Sequence, residues 1–344
     1  MGAEPSTRLE GKIPSGWLPI SHAEAIMGHP DLDLVALCDT DQDRRNRFGD
    51  LYDVTKLYSD HNLLLEEVKP EFVCIATRTE GRTDIICKAI DNGAKGIYFE
   101  KPLCRSVNEA DAILNYAIEK NVKLGFGVNR RYHGMYRRAK EMVQSGIIGD
   151  VIEIIVEHDA SKLLWTHPHS FDIILYFAGT TGLEYVQATC EFSEGYKPED
   201  KKFVNDDPVI SNAFFRFKNG LKASINCAAG LNTRIAGTKG IITVYGDGYK
   251  IQVDKEGTAL PYYYTETYTE QPELLSSATE TAIDELVAAV TENGNAPITP
   301  QEIFTNSLMA SGVVYSHLQG GRRVAVNEIP YDMVITGKSG DFYA

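Results

Sequence analysis

Three groups of residues have the types and spacing to do chemistry. Asp39 closes the apolar run Leu34-Val35-Ala36-Leu37-Cys38. A carboxylate at the end of a buried parallel strand can accept hydrogen bonds from both ribose hydroxyls of an adenosine, and it repels the extra phosphate of NADP, so it favours NAD. The alternative is an Asp that starts a helix in a polar turn. Phe99-Glu100-Lys101-Pro102 places an ammonium at a second strand end, where partial loss of water lowers its pKa toward the range useful for proton transfer. The alternative there is a solvated turn lysine. Trp165-Thr166-His167-Pro168-His169-Ser170-Phe171-Asp172 holds two histidines two residues apart. Neither a cysteine nor a Glu-x-x-His pattern joins them, so acid–base work is better motivated than a metal. His169 opens an apolar helical segment. Asp172, one turn on, is either its orienting carboxylate or a structural helix residue.

These groups need a scaffold, and the first half of the chain supplies an alternating one. Leu34 to Cys38, Phe72 to Ala76, Gly96 to Phe99 and Val122 to Val128 read as strands, the first two as continuous apolar runs buried on both faces. Between them Arg82 to Ile90 reads as helix, and Ser106 with Glu109 forms a capping box ahead of the stripe Val107, Ala110, Ile113, Leu114, Ala117, Ile118. Repeated β-α-β predicts a parallel sheet with its ligand at the C-terminal strand ends, where Asp39, Thr77 and Glu100 fall. A dinucleotide fold should open with a strand and a Gly-x-Gly-x-x-Gly turn about 20 residues before the ribose carboxylate. Here no strand precedes Gly2-Ala3-Glu4-Pro5, and 37 residues separate Gly2 from Asp39.

The second half changes period. Val151 to Glu157, Ile241 to Tyr245 and Tyr249 to Val253 are strand-like, and Ala213 to Phe217 with Leu221 to Ile225 form a hairpin through Lys218-Asn219-Gly220, predicted as a type I′ turn. Two helices close the chain: Ile283, Leu286, Val287 and Val290 form one stripe, and Ile303 to Leu318 another. The expected division is residues 1–126, a Rossmann-type parallel-sheet domain with its first strand missing or truncated, and residues 127–344, an α+β domain with an open, mostly antiparallel sheet. An open sheet face predicts a homodimer or homotetramer.

Composition sets the outer bounds. In 344 residues, 34 Lys and Arg against 48 Asp and Glu give a net charge of −14, which disfavours a nucleic-acid surface. Hydrophobic residues at 43 % and charged residues at 24 % fit a globular protein. No membrane span and no signal peptide are expected, so the predicted location is cytoplasmic. The six cysteines are dispersed without a Cys-x-x-Cys pair and read as reduced core thiols.

Taken in order, Glu100-Lys101-Pro102, Gly127-Val128-Asn129-Arg130-Arg131-Tyr132, Ala139 to Gly149, His169-Ser170-Phe171-Asp172 and Gly237-Thr238-Lys239-Gly240 resemble the Gfo/Idh/MocA oxidoreductases. The resemblance spans about Ser21 to Pro330. It implies a Rossmann domain binding NAD or NADP, a sheet that mediates dimers or tetramers, and substrates that are sugars, cyclitols or their derivatives. It implies Lys101 and His169 as catalytic groups flanking the reacting carbinol; Asp172 joins them only through its spacing from His169. Together with the residue reading, the expected cofactor residues are Gly2, Asp39, Thr77, Glu100, Lys101 and Asn129, and the expected substrate residues are Arg131, Tyr132, His167 and Trp165, the last as a ring that could stack on a sugar face or an aromatic aglycone. Three departures stand out: the reshaped glycine turn, Trp165 where many members carry Asp, and Ala76-Thr77-Arg78 with Arg82 near the position of a usual His.

Two classes of function follow. The first is an NAD-dependent dehydrogenase of a sugar, glycoside or cyclitol. The second is a family-like protein that has lost its cofactor and serves as a binding or regulatory subunit.

Overall fold

The computed structural model describes residues 2–198, 200–257, 264–271 and 275–337. Its first half runs α1 (His22–Gly28), β1 (Leu37–Cys38), α2 (Gln42–Tyr52), β2 (Leu57–Tyr58), α3 (His61–Val68), β3 (Phe72–Ile75), α4 (Arg82–Asp91), β4 (Gly96–Phe99), α5 (Val107–Glu119) and β5 (Lys123–Phe126). All its strand pairs are parallel, but they form two separate pieces, β1 with β2 and β3-β4-β5. Of the predicted strand over 34–38, only Leu37 and Cys38 enter a ladder. A run that is apolar on both faces needs a neighbour on each edge, and residues 34–36 lack one on the β3 side among the described residues.

Helices cover both faces of the three-stranded piece. On one side Ile86, Ala89 and Ile90 of α4 and Ala110, Ile113, Leu114 and Ala117 of α5 pack on Ile75, Ile97, Phe99, Leu124 and Phe126. Full burial of such side chains stabilises by roughly 1.5–3 kcal/mol each for the larger ones. Ile118, expected in the same stripe, is 58 % exposed at its edge. The predicted capping box is only half formed. Ser106 Oγ accepts from Glu109 N (3.2 Å), but the Glu109 carboxylate takes the N–H of Arg105 instead (3.0 Å).

The second half contains α6 (Gly134–Gln144), β6 (Val151–His158), α7 (His167–Ala178), β7 (Leu183–Glu191), β8 (Phe203–Val204), β9 (Val209–Phe217), β10 (Lys222–Cys227), β11 (Asn232–Gly237), β12 (Gly240–Tyr245), β13 (Lys250–Glu256), β14 (Tyr264–Glu270), α8 (Ala278–Thr291), α9 (Pro300–Leu318), β15 (Val324–Ala325) and β16 (Val334–Ile335). Nine strands form one sheet, ordered β14-β13-β12-β11-β6-β10-β9-β7-β15. Every pairing is antiparallel except that of β6 with β10. Alternate residues, among them Ile154, Val156, Phe215, Phe217, Ala223, Ile225 and Ile235, are buried toward α7 and α9. Glu153, Ser224 and Arg234 lie on the other face and are not buried. The β9–β10 hairpin forms as expected, but only Gly220 has positive φ (93°). A type I′ turn needs two such residues, so this is instead a three-residue loop between Phe217 and Leu221, a β-turn closed by Gly220 N to Phe217 O with Gly220 left-handed and the Asn219 side chain accepting from Leu221 N.

Helix α8 returns to the first half. Its Ala278, Ala282 and Leu286 pack on Tyr98 and Tyr132, and Ile283 and Val287 on Ala25 and Ile26 of α1. All six cysteines are free, yet Cys38 and Cys227 are exposed rather than core residues. Among the described residues no helix is long and apolar enough to cross a membrane.

Candidate active site

A cleft of about 1500 Å³ runs the length of the space between β1 and β3 and opens at the C-terminal ends of the parallel strands. Asp39, Gly2, Thr77, Glu100, Lys101 and Trp165 all line it, so sequence positions up to 163 apart meet in one place. At one end the Asp39 carboxylate accepts from Asp41 N (2.8 Å) and lies 3.5 Å from Arg44, while Arg45 holds the Asp39 carbonyl (2.6 Å). Asp39 thus sits just before α2 in a fixed pose, with acceptor capacity left over. Gly2 packs so near β3 that an added Cβ would stand 3.0 Å from the Cβ of Ala76.

At the other end β4 delivers Glu100 and Lys101. Burial pushes the Glu100 carboxyl up, but the hydrogen bond from His22 (3.1 Å) and the charges of His22 and Lys101 outweigh it, so its pKa is lowered overall. Lys101 is 8 % exposed. Burial pushes its ammonium down to about 8; Glu100 opposes the shift, and Arg130 and Arg82 add to it. Its Nζ donates to the Trp165 carbonyl and stands 3.9 Å from the centre of the Trp165 ring. Lys101 thus meets a ring face and a carbonyl at Trp165, both of which favour the cation more weakly than a carboxylate would.

His169 lies in the first turn of α7. It does not line the cleft wall, but it feels the charge of Lys101. Burial first, then Arg130 and Lys101, hold its ring well below the ordinary histidine range, so it is neutral at pH 7. Its Nδ1 is buried with no hydrogen-bond partner among the described residues.

Several expected site residues are engaged elsewhere. Asp172 does not orient His169: both its oxygens bond the Arg131 guanidinium (2.6–3.0 Å). Arg131 also meets Glu302 at 3.0 Å and is 4 % exposed, a buried ion network rather than a substrate contact. Tyr132 is buried against α8. His167 is a core residue, with its ring nitrogens 3.2 Å from Ser170 Oγ and the Ser161 carbonyl. Asn129 ties Tyr98 (2.9 Å) to Thr279 (3.2 Å) across the joint between the halves and does not reach the cleft.

Two buried charges that the sequence did not assign support the site. Arg82, 2 % exposed, donates to the carbonyls of Thr77, Glu100 and Pro102 and so ties the ends of β3 and β4 together. Asp207, also 2 % exposed, accepts from Leu164 N at 2.6 Å and fixes the segment that carries Trp165; burial pushes its pKa up to about 6.

Residues 15–128 match the family model of the Gfo/Idh/MocA oxidoreductases, described as an oxidoreductase family with an NAD-binding Rossmann fold. The first half of the chain is thus similar to the NAD-binding domain of this family, over about a third of the chain's length. Myo-inositol 2-dehydrogenase of Thermotoga maritima is 30 % identical over 141 residues, 40 % of this chain and 41 % of that one. The NAD-dependent scyllo-inositol 2-dehydrogenase of Bacillus subtilis is 28 % identical over 178 residues, covering 48 % and 52 %. The matches thus span about half or less of these two relatives. The whole fold is shared with solved structures. An NAD-binding oxidoreductase from Klebsiella pneumoniae superposes with a TM-score of 0.74 at 18 % identity, covering 91 % of this chain and 97 % of that one. Levoglucosan dehydrogenase, solved with NADH and levoglucosan, gives 0.71 at 19 %, covering 89 % and 94 %.

Proposed function

We propose that this protein is an NAD-dependent oxidoreductase acting on a CH–OH group of a sugar, glycoside or cyclitol, with Lys101 and His169 as its acid–base pair. The observation that carries the reading is Lys101: a buried amine, lowered to about 8, on the wall of a cleft whose far end is Asp39. The residues present fit a nicotinamide dinucleotide. Asp39 would hold the adenosine ribose, the main chain at Gly2 would meet the pyrophosphate, and Thr77 and Glu100 would border the nicotinamide end. When bound, nicotinamide accepts the carbinol hydrogen as hydride.

The chain's own residues handle the proton. With a pKa near 8, about one-tenth of Lys101 is neutral at pH 7, enough to take part in proton transfer in either direction. His169 enters neutral, with Nδ1 free to accept the hydroxyl proton. The cations that depress it, Arg130 and Lys101, favour the negative charge that develops on the substrate oxygen as that proton leaves. Trp165 offers a flat apolar face beside the reacting end, suited to the CH face of a ring or to an aromatic aglycone.

The separation of β1 from β3 favours the second reading, a binding subunit without cofactor. Calorimetric titration with NAD and NADP separates the two, followed by a sugar and cyclitol panel read at the NADH absorbance band. Micromolar binding of NAD with substrate-dependent NADH formation supports the enzyme. An absence of binding to either nucleotide would leave only the subunit.

A further inference from the structure

The cleft does not end at the Lys101–Trp165 contact. Its wall continues through Pro102, Arg105, Phe203, Asn205 and Thr336, none of which the proton chemistry uses. Three stretches of chain meet there. The turn after β4 supplies Pro102 and Arg105, β8 leads into Asn205, and β16 leads into Thr336. Main-chain bonds join them: Ile335 N donates to the Arg105 carbonyl (2.9 Å) and Thr336 N to the Val204 carbonyl (2.8 Å). Gly337 passes so close behind that an added Cβ would collide with the main chain of Asp206.

Strand alternation decides what faces the cleft. Side chains two apart on an extended chain share a side, so Phe203 and Asn205 point one way and the fully buried Val204 the other. Phe203 thus stands 52 % exposed on the cleft wall. Beside it Asn205 Oδ1 accepts from Thr336 Oγ1 (3.0 Å), which leaves the amide N–H groups of Asn205 to donate to a ligand. Glu109 engages one nitrogen of the Arg105 guanidinium (3.2 Å). The far side of this segment is pinned. Asp206 accepts from Ser193 N and Oγ (both 2.7 Å), and Asp207 accepts from Leu164 N (2.6 Å) next to Trp165. The strand carrying Phe203 and the segment carrying Trp165 are therefore fixed to each other. One apolar ring face rimmed by an amide, a hydroxyl and a guanidinium is the make-up of a small-molecule pocket rather than of a protein-docking surface. Its continuity with the lysine calls for one molecule that reaches both.

We propose that this wall is a second subsite and that the substrate is a glycoside. The sugar reacts beside Lys101, while its substituent, a second hydroxylated ring, stacks on Phe203 and accepts from the Asn205 amide. A free monosaccharide or cyclitol would leave Phe203 bare. The proposal rests on the reading of Lys101 as the reacting end.

The test is saturation-transfer NMR with and without NAD, using hydroxyphenyl β-glucoside, cellobiose and methyl β-glucoside, and the galactose and xylose counterparts. Saturation should reach the second ring of one of the first two probes, which separates an aryl substituent from a second sugar. Phe203→Ala should weaken binding of that probe about tenfold, and should lower its kcat/KM relative to the methyl glycoside by about the same factor. Phe203→Tyr should restore both, which a folding defect would not allow. Second-ring protons left unsaturated, a ratio unmoved by Phe203→Ala, or binding of none of the panel would overturn the subsite. Binding that depends on Phe203 without NADH from any probe would keep the subsite and refute the dehydrogenase.

Discussion

Lys101→Met should make the protein inactive and, below pH 8, more stable. The ammonium is buried and its pKa falls from 10.5 to about 8, so the folded state binds the proton less tightly than the unfolded chain. Stability contributed by this residue therefore rises with pH between about 8 and 10.5, and the full penalty for charging it applies below pH 8. The fall from 10.5 to about 8, at about 1.4 kcal/mol for each tenfold change in proton affinity, makes that penalty about 3 kcal/mol. The contacts with Trp165 return part of it: a desolvated cation–π pair gives roughly 1–2 kcal/mol, and the hydrogen bond about 1. The absolute gain at pH 7 is thus small, whereas its pH dependence is larger. Between pH 7 and 9.5 the wild type should gain about 2 kcal/mol relative to Lys101→Met. Urea denaturation of both proteins at the two pH values measures this difference directly. A constant difference would mean that Lys101 keeps its ordinary pKa, and the argument for a proton-transfer amine in this cleft would fail.

Other outcomes follow from the same geometry. His169→Ala should lower turnover by about 10²–10⁴-fold, and the double variant with Lys101→Met should lose less than the product of the two single effects; single-turnover NADH formation tests both. Asp39→Ala should weaken NAD binding by roughly 10- to 100-fold, the value of a charge-assisted hydrogen bond, with a smaller effect on NADP, as calorimetry would show. Asp172→Asn leaves Arg131 buried beside Glu302 alone and should cost about 3–5 kcal/mol of stability, with turnover retained at temperatures where the variant is folded; a folded but inactive variant would restore Asp172 to the catalytic site. The uncovered face of the nine-stranded sheet should bury itself in a homo-oligomer, and a monomer mass by light scattering at micromolar concentration would refute that.

The parts of this fold that were legible in the sequence are those fixed by local pattern. β4, α4, α5 and the β9–β10 hairpin follow from apolar period, a cap and an Asn-Gly turn, all confined to a few neighbouring residues. The two histidines show where local reading stops. Residues two apart on a helix point about 200° away from each other, so if one faces the core the other faces away. The sequence does not say which, and His167 took the core. Asp172 stayed open between two roles for a different reason. One turn from His169 was plausible geometry, but Arg131, 41 residues away in sequence, outcompeted it with a bidentate contact. Asn129 was likewise claimed by Tyr98 and Thr279, partners that only the packing of α8 brings within reach.

The supports of the site were illegible because their partners are main-chain atoms, which no motif records. Lys101 comes from the first half and Trp165 from the second, and their contact joins the two walls of the cleft. Each wall is held by one buried charge with no directly bonded counter-ion among the described residues: Arg82 on three carbonyls, Asp207 on the N–H of Leu164. Desolvating such a charge is unfavourable, which is seen in Arg82 pushed down to about 10 and Asp207 pushed up to about 6. A fold needing only stability would gain from apolar replacements at both positions. Rigid charges under the two loops that meet over the lysine instead serve to hold Nζ and the indole in register. Places where a chain accepts buried charge against its own stability are where function is expected, and here both lie directly behind the Lys101–Trp165 contact.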